Sequence, residues 1–113
     1  MKKFIAMLMA LVLVLGLAAC GGNTAAPEAD TFKVGAIYIN SKNDTAGYTF
    51  AHHNGITTAM KELGLDPATQ LIIVDEVPED DEQVLSAIDT LVGGGADIIF
   101  GISFGYINAM EAA

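Results

Sequence analysis

The chain contains no arginine, one cysteine, three prolines and only five basic residues, all lysine. Without clustered Lys and Arg there is little to displace counterions from a phosphate backbone, which argues against nucleic acid as a partner. The same deficit disfavours phosphorylated small molecules, although helix N-termini can bind phosphate without arginine. One cysteine admits no internal disulfide. The two histidines are adjacent, at 52 and 53, and no His-x₃-His spacing occurs. Neighbouring helical side chains point about 100° apart and do not converge on one ion, so no metal is expected; no cofactor is expected either.

What is present begins with a leader. Residues 1–20 read MKKFIAMLMALVLVLGLAAC: a basic start, an apolar stretch, then small residues. That is the plan of a secretory signal. Leu17-Ala18-Ala19-Cys20 matches the bacterial lipobox, which predicts removal of residues 1–19 and a diacylglyceryl group on the Cys20 sulfur. The apolar run falls short of the ~20 residues of a membrane-spanning helix. The expected location is the extracytoplasmic face of the cell membrane, held by a lipid anchor. Residues 20–31 lack large apolar side chains and are expected to form a flexible tether. The portion after the cleavage site keeps three lysines against 14 acidic residues.

Residues 32–113 divide into three strand–helix units. Residues 33–39, KVGAIYI, are apolar and rich in Val and Ile without polar alternation, as suits a strand buried on both faces. Residues 40–47 carry loop chemistry. A helix is predicted over 49–63, with Thr49 or an earlier residue as cap and a buried face of His52, Ile56, Ala59, Met60 and Leu63. Gly55 within it suggests close approach to the sheet, and Gly64 ends it. A turn at 66–69 leads to a second strand over 71–77. The acidic run 79–82 opens a helix, where negative charge suits the helix dipole. Its buried face is expected to hold Val84, Leu85, Ile88, Leu91 and Val92. Gly93-Gly94-Gly95 follows a helix and reads as its terminator, not as a phosphate loop. Residues 97–100, DIIF, form a third strand, and a last helix is predicted over 106–113.

In an open parallel sheet, loops at the carboxyl ends of the strands face the ligand crevice. Two such loops carry candidate residues. In the first, Tyr48 can stack on a flat ligand or cover the strand end, and Asp44 can accept from ligand N–H or O–H groups or shape its own turn. His52 is expected to pack or hydrogen-bond at the helix–sheet junction. In the second, Ser103 and Phe104 suit orientation and stacking of a small heterocycle. Gly101-Ile102-Ser103-Phe104-Gly105 also spells the Gly-x-Ser-x-Gly elbow of serine hydrolases. No acid and histidine partners are assignable after it, so an exported α/β hydrolase using Ser103 is the alternative and a non-enzymatic function is preferred.

The lipobox leader, KVGAIYI, the segment AGYTFAHHNGI and the segment IIFGISFGY together resemble the basic membrane protein family of substrate-binding lipoproteins. That family includes purine-nucleoside receptors of ABC importers. The resemblance spans residues 33–113 and implies a type I periplasmic-binding fold, of which this chain holds the first three βα units of the N-terminal lobe. Members of the family are several times longer and clamp the ligand between two lobes. The expected ligand is a purine nucleoside or base, and the expected partners are the permease and ATPase subunits of the importer. By position, Tyr48 would stack on the base, Ser103 and Phe104 would line its edge, and Asn40 and Asp44 would be weaker contacts. Some relatives show Asp-Gly-Gly-aromatic where this chain has Asp44-Thr45-Ala46-Gly47-Tyr48, one residue longer. A membrane-anchored sensor with the same binding fold is a further alternative.

Overall fold

The computed structural model describes residues 31–113; the leader, Cys20 and most of the tether lie outside the described residues. The described chain is α/β, with a three-stranded parallel sheet in the order β2-β1-β3. Its elements are β1 (Val34–Tyr38), α1 (Tyr48–Glu62), a one-turn helix α2 (Pro67–Gln70), β2 (Leu71–Val74), α3 (Asp81–Gly93), β3 (Ile98–Ile102), a 3₁₀ turn (Phe104–Tyr106) and α4 (Ile107–Ala112). None of the described helices is long and apolar enough to cross a membrane.

β1 is central because it can be. All five of its residues are buried, and it pairs on both sides, Val34 with Leu71 and with Ile98. From β1 the chain crosses one way to β2, then back over β1 to β3. Crossovers of one hand in opposite directions leave on opposite faces. α1 therefore covers the face of Ala36, Tyr38 and Ile102 through Ile56. α3 and α4 cover the face of Ile37, where Val84, Ala87, Ile88, Leu91, Tyr106 and Ala109 close the core. Gly35 permits that closeness: a methyl there would lie 3.1 Å from Leu91 Cδ1, Ala96 Cβ and Ile99 Cγ1 alike.

Side chains bolt the amino edge of the sheet to backbone. Gln70 Nε2 donates to Phe32 O at 2.8 Å, and Lys33 N donates to Asp97 Oδ2 at 2.8 Å.

Several boundaries differ from the sequence expectation for physical reasons. β2 stops at Val74, short of residue 77. Beyond it, Asp75 turns its carboxylate to accept Lys42 N at 2.8 Å, and Glu76 takes a left-handed φ of 57°. Val77 N then returns to Tyr38 O at 3.0 Å. β3 runs two residues further than DIIF, because Gly101 and Ile102 still pair with Ile37 and Tyr38. The expected turn at 66–69 is a helical turn, with Pro67 at its start and Asp66 accepting from Ala68 N at 2.9 Å.

On α3 the buried stripe is Val84, Ala87, Ile88 and Leu91; Leu85 and Val92 point to solvent. That helix opens later than the acidic run suggested, with Asp80 as cap, accepting from Gln83 N at 3.1 Å. Gly95, at φ 85°, follows its end as the glycine terminator requires.

Candidate functional site

Three loops meet at the carboxyl edge of the sheet: residues 39–47 after β1, 75–80 after β2, and 103–105 after β3. Backbone bonds stitch the first two together, and side chains tie the third to the second. Glu76 N donates to Asn40 O at 3.3 Å, beside the Val77–Tyr38 bond. Asn40 is thus engaged through its carbonyl, and its residue is exposed. Asp44 N donates to Ser41 O at 3.1 Å and Asn43 N to Ser41 Oγ at 3.2 Å, so Asp44 sits in a local turn, half-buried.

Tyr48 is the first residue of α1. Gly47 before it has φ 91° and ψ −162°, a region that suits only glycine, and this kink aims the helix start. The sequence allows Thr49 or an earlier loop residue as the cap. Gly47 is that earlier residue, and no side chain caps the helix. Thr49 lies inside the first turn, buried, and its Oγ1 has no partner among the described residues. Tyr48 is 52% exposed, so it does not cover the strand end. Its ring lies against His52, centroids 4.2 Å apart, and His52 Nδ1 donates to Tyr48 O at 2.8 Å.

The junction role expected of His52 belongs to His53. Its Nδ1 shares a hydrogen bond of 2.9 Å with Tyr38 OH, and the rings meet edge to face. The buried side of α1 is accordingly rotated: Thr49 and Met60 are buried and His53 and Ile56 half-buried, whereas His52, Ala59 and Leu63 are exposed. Gly55 does not approach the sheet closely, since a methyl there would meet nothing within 4 Å. It faces two adjoining hollows between α1 and β3, of about 370 and 420 Å³, both also lined by Ile56 and Phe100.

Ser103 follows β3 directly, one residue beyond the Tyr38–Ile102 pair. Its backbone is extended (φ −166°, ψ 149°), without the strained turn of a nucleophile elbow. Its hydroxyl donates to Glu79 Oε1, and the same oxygen accepts from Gly105 N at 3.0 Å. These two bonds, Ser103's first, hold the Glu79 carboxyl below its ordinary pKa. Phe104 is 85% exposed and free to meet a ligand. Behind it Tyr106 is fully buried and donates from its hydroxyl to Val77 O at 2.5 Å. Burial, and then the nearby Glu79 charge, push the Tyr106 phenol up to about 12.

The structure therefore places Tyr48, Ser103, Phe104, Asp44 and Asn40 on one edge, and adds Glu79. Sequence reading assigned Glu79 to a helix start because of its acidic neighbours. Its position just past the second strand was the available signal, since all such loops reach the same edge. Among the described residues, no three His, Cys, Asp or Glu side chains are grouped to hold a metal ion. Comparison with family models, curated proteins and solved structures found no match to this chain.

Proposed function

We propose that this chain is the ligand-recognising part of a lipid-anchored, extracytoplasmic substrate-binding protein. It binds a purine nucleoside or base and passes it to the permease of an ABC importer. In this reading residues 32–113 are the start of one lobe of a type I periplasmic-binding fold, and Cys20 carries the anchor. The observation that supports it best is the exposure of two aromatics, Tyr48 and Phe104, at the carboxyl edge of a parallel sheet beside the Ser103 hydroxyl. Such an edge is where open α/β sheets bind ligands, and a flat heterocycle is what exposed rings with one oriented hydroxyl suit. The acidic residues of the same loops, Asp44, Asp75, Glu76, Glu79 and Asp80, favour a ligand rich in N–H and O–H groups over an anion. The Ser103–Glu79 bond favours recognition over hydrolysis, because the hydroxyl is held by a carboxylate and the two histidines bond elsewhere.

Calorimetric titration of the full chain with adenosine, inosine, guanosine and adenine tests the reading. Binding of at least one purine is expected, weakened about tenfold or more by Tyr48→Ala, as loss of one base–aromatic stack implies. Silence from all four would overturn the purine assignment. Turnover of a simple ester, abolished by Ser103→Ala, would replace it with the hydrolase reading.

A further inference from the structure

Ser103 has a single hydroxyl proton, and that proton is committed. It goes to Glu79 Oε1, the oxygen that also accepts from Gly105 N at 3.0 Å. An ionised carboxylate accepts and cannot donate, so the serine oxygen keeps only lone pairs to offer a ligand. A glutamate carboxyl is ionised at neutral pH, and the bonds from Ser103 and Gly105 favour that form further. Gly105 is part of the device. A methyl at that position would lie 2.6 Å from Glu79 Cγ and 2.7 Å from its Cβ, so any side chain there displaces Glu79.

We propose that Glu79 is a positioning residue that fixes Ser103 Oγ as a hydrogen-bond acceptor, and that the site thereby prefers 6-aminopurines to 6-oxopurines. The inference rests on the purine reading above and names the class within it. An exocyclic amine pointed at Ser103 meets a lone pair. A carbonyl in the same place meets another acceptor, and both groups stay unpaired. A 6-oxopurine can still offer its N1–H, but only by bringing the O6 lone pairs alongside an edge that already holds Asp44, Asp75 and Glu76.

The test is the ratio of adenosine to inosine affinity, read by calorimetry on the full chain. An adenosine preference of about tenfold or more is expected, the scale of one unpaired buried group. Glu79→Ala and Gly105→Ala should each collapse it to near parity. The first removes the acceptor, and the second displaces it while leaving Glu79 and Ser103 unsubstituted. Glu79→Gln should keep the preference, because an amide carbonyl can take both bonds. Ser103→Ala should also remove it, and adding Glu79→Ala to that variant should change the ratio no further. A ratio untouched by Glu79→Ala and Gly105→Ala, parallel weakening of both nucleosides, or a preference for inosine would overturn the assignment while leaving purine binding standing. Failure of the wild-type chain to bind either nucleoside, guanosine or adenine would overturn both.

Discussion

One face of the sheet carries two helices and the other carries one, and the two cores differ accordingly. Against α3 and α4, Ile37, Val84, Leu91 and Tyr106 are completely buried. Against α1, Ala36 and Tyr38 are buried beneath the helix, yet Ile98 and Phe100 on the outer strand remain 42% and 40% exposed. Both sets of residues are equally apolar in sequence. What separates them is position: β1 lies under a helix on either side, whereas the α1 face of edge strand β3 borders the two hollows. The finished face holds the fold. The stability of the open face comes mostly from β1, and changes at β3 should be tolerated there.

Leu91→Ala is the sharpest way to break that contrast. It empties the centre of the finished face and should lower unfolding free energy by about 2–5 kcal/mol in urea denaturation. Tyr106→Phe comes next. It leaves Val77 O without its hydroxyl donor and should cost about 1–2 kcal/mol by the same measurement. It should also change the alkaline limb. The phenols of Tyr38 and Tyr106 sit at about 12 in the folded chain against an ordinary 10, each raised chiefly by burial. The stability they lend is complete below pH 10 and is lost as pH rises towards 12, so Tyr106→Phe should flatten that decline.

Phe100→Ala, on the open face, should cost about 1 kcal/mol, because much of the ring is already in water. A loss as large as that from Leu91→Ala would mean that the two faces are equally packed. The smallest effect concerns Glu79, which belongs to neither core. Its carboxyl should titrate below the ordinary glutamate range in an NMR pH series, and Ser103→Ala should move it back up. Because that pKa is depressed, its contribution to stability is present above the ordinary glutamate pKa and fades as pH falls through the lowered midpoint.

Much of the fold was legible in the residues. The unbroken apolar run around β1 announced a strand buried on both sides, and the glycines after α3 announced its end. Edges and faces were harder. The residues up to Pro78 read as one strand through Val77, but the Val77 amide turns back to Tyr38 O after Glu76 reverses the chain. His52 and His53 are chemically identical in sequence, and a rotation of one residue along α1 decides which meets Tyr38. Ser103 was legible as a loop hydroxyl. Its partner was not, because Glu79 lies 24 residues away and reads locally as one acid among four.

The sequence by itself determined that this is a parallel α/β chain with strand–helix units, since hydrophobic period and turn chemistry are local properties. It also determined that Tyr48, Ser103 and Phe104 follow strands and so share an edge. Only the tertiary structure decided which helix face is buried, where the second strand stops, and that the Ser103 proton belongs to Glu79. Those depend on distances between residues far apart in the chain, which side-chain packing sets and no local pattern encodes.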